Sequence, residues 1–316
     1  MVRSYIKPRS LCLTAYQASG YDLKHHEKQK KDWNIMQLIT NQTFGGERSL
    51  YKLSDAKLDH VTILAGDSPI KHGTNLTLTN CDIEGKYPLW INTNTVVDNC
   101  LLKVTARSGL WYLKNFKVTN TRFECPKSFR DSDGIEIRDC TFTDAQETLW
   151  SCRNVLVEKS SFDKGDYLLA HSSDIRLKNI KLNGNYLGQW GRNIEVFDSE
   201  IHSRDAFWNT ENVSCYNCTL DGEYLGWHSK NLHLVNCHIK GQQPLCYCEN
   251  LVLENCTFDP DADLAFEYCT VHADIRGAVT SVKNPTSGEI VADSIGEIIL
   301  DGNALPPANC KIVTRK

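Results

Sequence analysis

The sequence predicts an all-β fold, a single-domain right-handed parallel β-helix with about 19 residues per coil. Three observations predict it. First, the stretch from Asn193 to Asn250 reads as three lines of 19 residues: NIEVFDSEIHSRDAFWNTE, NVSCYNCTLDGEYLGWHSK and NLHLVNCHIKGQQPLCYCE. Each line opens on Asn and an apolar residue, has a short side chain at its seventh position (Ser199, Cys218, Cys237) and an apolar one at its ninth (Ile201, Leu220, Ile239). Second, the frame extends both ways, with lines opening at Asn75, Asn94, Asn115, Gly134, Asn154, Asp174, Asn193, Asn212, Asn231, Asn250 and Thr270. Third, apolar residues alternate within the lines, as in Ile135 and Ile137, Val155 and Val157, or Leu232 and Leu234. That is strand spacing. No line has room for a strand and a ten-residue helix, which argues against a leucine-rich solenoid. Each line is read as one coil of three short strands, stacked at the strand spacing of ~4.8 Å.

Taken in order, residues 1–40 form an N-terminal extension. Its charged part, 22–38, ends in Trp33, Met36 and Leu38 and is expected to be a short helix covering the open first coil. Residues 41–304 form the β-helix, irregular up to Gly73, regular from Asn75 to Glu267 and narrower after Thr270. Residues 305–316, with Pro306 and Pro307, are a tail. Stacking turns the lines into columns. Cys81, Cys100, Thr121, Cys140, Ser160, Ile180, Ser199, Cys218, Cys237 and Cys256 form a small inward column. Ile83, Leu102, Phe123, Phe142, Phe162, Leu182, Ile201, Leu220, Ile239 and Phe258 form a core ladder. Asn80, Asn99, Asn120, Asp139, Asn179, Asp198, Asn217, Asn236 and Asn255 mark a turn, where Asn tolerates left-handed geometry and can bond the next coil's backbone. Trp90, Trp111, Trp150, Trp208, Trp227 and Phe266 are expected to point inward.

Composition narrows the function. The chain has 316 residues, a net charge of −4 and only one short basic run, Lys28 to Lys31 with Lys24, so no nucleic acid is implied. No run of 18 apolar residues exists, so no membrane span is expected. LCLTAY near the start is too short for a signal sequence. Most of the 14 cysteines fall in inward columns, where Cys acts as a small hydrophobe. Parallel Cβ vectors suit disulfides poorly, so free thiols and a cytoplasmic, reducing location are expected. The pairs Cys215/Cys218 and Cys246/Cys248 have metal-like spacing but sit in core columns. No metal and no cofactor is expected.

The stretches NQTFGGERSLY, KYPLWIN, ARSGLWYLKN, QETLWSC, KGDYLLAHS, NGNYLGQW, GEYLGWHSK, QPLCYCENL and SVKNPTSGEI resemble, in order, the bacterial domain-of-unknown-function 3737 family. The resemblance spans roughly residues 41–296. It implies a right-handed, pectin-lyase-like β-helix and no established activity.

By analogy with β-helix enzymes of that type, ligands would lie on the outer face of one parallel sheet. Here that sheet is the segment before each line opening. With Leu225 and Trp227 pointing in, Tyr224, Gly226 and His228 point out. The same frame turns out Tyr167 and His171, Tyr186 and Trp190, Phe207 and Asn209, Tyr247, and Glu267. Aromatic platforms interleaved with hydrogen-bonding groups suit sugar rings, apolar on their faces and polar at their edges. The candidate ligand is therefore an oligo- or polysaccharide. Asp205 and His228 are the candidate catalytic groups for a polysaccharide lyase or glycoside hydrolase-like reaction. The nearest acids on the same face should lie on the order of 14 Å from Asp205 at ~4.8 Å per coil, beyond the ~5–9.5 Å of glycosidase pairs. Whether the protein is an enzyme is left open. The alternative reading is a non-catalytic interaction or self-assembly scaffold, a homo-oligomer packed through this face.

Overall fold

The computed structural model describes residues 36–302 and 304–315, which form an all-β parallel solenoid of about 15 turns with ~19 residues per turn. Residues 22–35 of the expected cap lie outside the described residues. One side of each coil is a long strand, as at Thr74–Thr79, Asp133–Arg138, Ser173–Lys178, Arg192–Phe197, Glu211–Tyr216 and Lys230–Val235. Each pairs in parallel with its counterpart in the next coil. Ile175 faces Ile194, Ile194 faces Val213, and Val213 faces Leu232. This register is the frame of the sequence lines. Its cause is the period-two pattern: in Arg192–Phe197, Ile194 and Val196 are buried while Arg192 and Glu195 are exposed. A one-residue slip would turn every such pair out to water.

The second side is a shorter strand, such as Thr141–Phe142, Lys181–Asn185, Glu200–Arg204 or Thr219–Asp221. It sends one large side chain per coil into the core. Phe123 stacks on Phe142 at 4.2 Å and 5°, and Phe142 on Phe162 at 4.7 Å and 15°.

Between the two strands the chain turns at Asn80, Asn99, Asn217, Asn236 and Asn255, with φ between 49° and 56°. Asn visits this left-handed region at lower cost than most residues. The amides bond side chain to side chain rather than to backbone. Asn99 donates to Asn80 (2.7 Å), Asn236 to Asn217 (3.1 Å) and Asn255 to Asn236 (2.8 Å). A second ladder runs through the line openings. Asn193 donates to Asp174 (2.8 Å), Asn212 to Asn193 (3.1 Å), Asn231 to Asn212 (2.8 Å) and Asn250 to Asn231 (3.1 Å). A carboxylate only accepts, so Asp174 begins this ladder. The Asn193 amide and the Ser173 hydroxyl hold its carboxyl below the usual range.

The small inward column is chemical as well as steric. At this corner a backbone N–H meets the next coil's side chain. Ser160 Oγ accepts from the Cys140 N–H (3.1 Å) and donates to the Glu158 carbonyl (2.8 Å). The Cys140 thiol donates to the Arg138 carbonyl (3.1 Å). A second such column, not anticipated from sequence, includes Ser132, Ser172 and Cys269. Their Oγ or Sγ atoms accept from the N–H groups of Leu113 (3.0 Å), Cys152 (2.9 Å) and Cys248 (3.1 Å). The cysteines among the described residues are free, and all but Cys310 are buried. Burial pushes the Cys140 thiol up to about 11 and the Cys152 thiol up to about 12.

Three expectations are corrected. The third side of the regular coils is a run of turns, not a third strand; strands appear there only near the end, where Ala278–Lys283 pairs with Ser294–Ile299. The solenoid begins inside the expected extension, since Gln37–Thr40 pairs with Ser54–Asp59. It also runs into the expected tail, where Lys311–Thr314 pairs with Ser287–Ala292.

Candidate functional site on the turn face

The third side is a six-residue run per coil, such as residues 186–191. Its first, third and fifth residues have left-handed φ: 60°, 69° and 55° for Tyr186, Gly188 and Trp190, and 60°, 62° and 57° for Tyr167, Leu169 and His171. For residues with a Cβ this costs roughly 1–2 kcal/mol each. Bonds between coils offset the cost. The Tyr167 and His171 N–H groups donate to the Asn185 and Gln189 carbonyls of the next coil, both at 2.8 Å. The Leu169 N–H donates back to Thr148 (3.0 Å). Alternating handedness also resets side-chain direction. In a strand, alternate residues face out. Here the second, third and sixth residues face the core, as Leu168, Leu169 and Ser172 do, and the first, fourth and fifth face outward.

This rule moves several predicted residues. Phe207, a third-position residue, is a core residue at 0 % exposure, not a ligand platform. The space beside Gly188 is core space, where an added Cβ would lie 3.1 Å from Ile194 Cδ1 and 3.5 Å from Phe207 Cδ1. Trp90, Trp111, Trp150, Trp208 and Trp227 hold fourth positions and are half-buried on the outer face rather than pointing inward. Phe266, grouped with them in the sequence, is in the core. The coil before Thr270 is a residue out of step, so Tyr268, with φ 55°, takes the fifth position. Glu267 takes the fourth, where it is buried and paired with Lys283 at 2.8 Å.

The outer face thus carries three aromatic columns. In the first, Tyr167 stacks on Tyr186 at 4.7 Å and 7°, and Tyr224 leans on Trp227 at 5.1 Å. In the fourth, Trp90 stacks on Trp111 (5.3 Å), the Arg130 guanidinium lies over Trp111 and Trp150 (4.7 and 5.1 Å), and Trp208 stacks on Trp227 (5.9 Å). In the fifth, His171 stacks on Trp190 and His228 on Tyr247, both at 4.8 Å. Asn209 is exposed in this column between Trp190 and His228. Trp190 and Tyr247 are 49 % and 37 % exposed. The two halves of the fourth column differ. The Trp90 and Trp111 indoles donate to the carbonyls of Ser108 (2.7 Å) and Lys127 (2.9 Å). The Trp208 and Trp227 indole N–H groups are buried without a partner.

Asp205 sits in the first column between Tyr186 and Tyr224, but only 4 % exposed. Burial pushes its carboxyl above the usual range; Arg204 opposes the rise and Glu223 adds to it. Arg204 Nε lies 3.4 Å from Asp205 and 3.6 Å from Glu223. An acid therefore stands one coil away from Asp205, closer than the face residues alone suggested. Glu223 escaped the sequence reading because it precedes the outward run. His228 contacts the rings of Trp227 and Tyr247 and has no bond to Asp205, so the two candidate catalytic residues form no proton-transfer pair. Among the described residues, no three His, Cys, Asp or Glu side chains could hold a metal ion.

Coil stacking, ladder columns and an aromatic outer face define a parallel β-solenoid. The model of the family described as "Protein of unknown function (DUF3737)" matches residues 37–313, and the chain belongs to that family. No curated protein matches the chain. Among solved structures, the Azotobacter vinelandii mannuronan C-5 epimerase AlgE4 A-module is similar over 88 % of this chain and 91 % of its own, at 10 % identity and a TM-score of 0.34. The catalytic domain of a GH87 α-1,3-glucanase, solved with tetrasaccharides, is similar over 88 % and 63 %, at 10 % identity and 0.33. The Streptococcus pneumoniae surface protein and adhesin PfbA is similar over 82 % and 74 %, at 10 % identity and 0.31.

Proposed function

We propose that the protein binds a carbohydrate chain along the turn face, through the aromatic columns between Tyr167 and Tyr247. The observation that carries this reading is the outward run of stacked rings, Tyr167 on Tyr186, His171 on Trp190, Trp208 on Trp227 and His228 on Tyr247. Sugar rings present apolar faces to such platforms. Rings recur here once per coil, with coils stacked at the strand spacing of ~4.8 Å. Tyr224, His228, Asn209 and Tyr247 would flank the chain. The reading is one of binding: the two candidate catalytic groups do not meet, Asp205 lying buried beside Arg204 and His228 against the rings of Trp227 and Tyr247. A glycan array with the purified protein tests this, with Tyr224→Ala and His228→Ala as controls; binding left unchanged in both would remove the site assignment. The free, buried thiols support a reducing, cytoplasmic location.

A second reading, association of two copies through the same face, is favoured by the exposure of Trp190 and Tyr247. Light scattering separates the two, since assembly requires a dimer or larger species.

A further inference from the structure

The turn face is divided by charge. In its first half Lys52, Lys71, Lys86 and Arg107 stand in successive coils and make no ion pair among the described residues. Lys52 lies over the Tyr51 ring at 5.5 Å and Lys71 over Trp90 at 5.1 Å. The acids there are Glu47, paired with Arg48 at 3.4 Å, Asp67 and Asp131.

The second half is the reverse. Asp166, Glu223 and Asp263 each stand just before a run, on its edge. Asn185 bonds Asp166, and Ser281 and the Leu264 N–H bond Asp263, with no cation on either. Arg204, 3.4 Å from Asp205 and 3.6 Å from Glu223, is the only Lys or Arg in these runs and the residue before each, among the described residues. Apolar side chains stay exposed along both halves: Tyr51, Ile91 and Tyr112 in the first, Trp190 and Tyr247 in the second. Exposed aromatic surface of this kind marks an interface.

We infer that the turn face pairs with a second copy of itself, antiparallel, with the basic half of each on the acidic half of the other. This rests on the self-association reading and fixes its geometry. Two identical faces meet about a two-fold axis lying between them. An axis along the solenoid sets each coil against itself, so the basic halves meet and repel. An axis across the face reverses one solenoid and sets each column on the same column. Lys86 and Arg107, which precede their runs, then lie along the edge that carries Asp166, Glu223 and Asp263 in the other copy. Symmetry makes this contact twice, and opposite charges select it over the parallel pair. From Arg48 to Tyr268 the runs, stacked at ~4.8 Å, make a face on the order of 55 Å long. A strip ~15 Å wide then supplies the ~800 Å² per partner of a standard interface. The pair covers the ring platforms, so a glycan and a second copy compete for them.

The test is sedimentation velocity on wild type and two charge-reversed variants. One carries Lys71→Glu, Lys86→Glu and Arg107→Glu; the other carries Asn209→Lys, Glu223→Lys and Gln243→Lys. Lys52 and Lys127 already hold the left-handed positions equivalent to Asn209 and Gln243, so the new lysines suit the backbone. Wild type should dimerise without sugar, and its dimer should weaken at least tenfold between about 50 and about 500 mM salt, as screening shortens. Each variant alone should be monomeric. An equal mixture of the two should form a heterodimer, because the reversed halves match each other and the unreversed halves still match. Monomers in the mixture would overturn the antiparallel geometry. A dimer kept in both variants but lost in Trp190→Ala would overturn the geometry while keeping self-association through the face. A dimer kept in all three variants, or a monomeric wild type, would overturn both and leave the carbohydrate reading to its own test.

Discussion

Trp208 stacks on Trp227 with ring centroids 5.9 Å apart and planes 20° apart, and neither indole N–H has a partner. Earlier in the same column Trp90 and Trp111 take the same position, yet each donates to a carbonyl of the next coil. One architecture therefore yields a closed half, where Lys71 and Arg130 also lie over the rings, and a half with donors to spare.

Phe207 distinguishes a core role from a ligand role. It is fully buried, beside Gly188. Phe207→Ala should lower unfolding free energy by about 3–5 kcal/mol. Tyr224→Ala, on the outer face, should cost far less. Urea unfolding of both variants checks this, and equal small losses would return Phe207 to the surface.

Ser172 tests the second polar column. Its Oγ donates to the Leu149 carbonyl at 2.7 Å and accepts the Cys152 N–H at 2.9 Å. Ser172→Ala leaves both buried groups short and should cost about 1–3 kcal/mol. Ser172→Cys, the residue type found elsewhere in the column, should recover most of it. Chemical denaturation of the pair provides the measurement.

Much of this architecture was legible in the sequence. Ile194 and Val196 alternate with charged residues, and Ile201 and Leu220 keep their place in the line, because strands obey a period of two. The turn face was not legible. Period two put Phe207 outside and Trp227 inside, whereas left-handed φ at every second residue sends the third side chain inward and the fourth outward. No propensity marks that geometry, since Tyr, Leu, His, Trp and Phe all adopt it here. Arg204 and Glu223 were missed for another reason: each precedes the outward run of its coil.

The Asn ladder makes a prediction with a pH sign. Asn193 donates to Asp174, so Asn193→Asp sets two carboxyl groups against each other. One of them must then titrate at a raised pKa in the folded state. The resulting loss is absent at low pH, where both are protonated in folded and unfolded chains, and grows as pH rises through the carboxylate range. Melting temperature should fall at pH 7 and little at pH 3. Asp174→Asn in the same chain should restore it.

Asp205 carries a related sign. Burial raises its folded pKa above the unfolded value, so its contribution is most favourable below the unfolded pKa and is lost as pH rises through the folded one. Asp205→Asn should therefore raise the melting temperature at pH 7 and leave it nearly unchanged near pH 3. A fall at pH 7 would show instead that the ion pair with Arg204 outweighs the burial of the carboxylate.

The most direct test of the central claim is a titration of wild type and Trp227→Ala with oligosaccharides selected on a glycan array, followed by tryptophan emission. The account predicts saturable binding by wild type and at least a tenfold loss in the variant, with the fold intact by circular dichroism. Binding of equal strength in both proteins, or none to any glycan on the array, would contradict it.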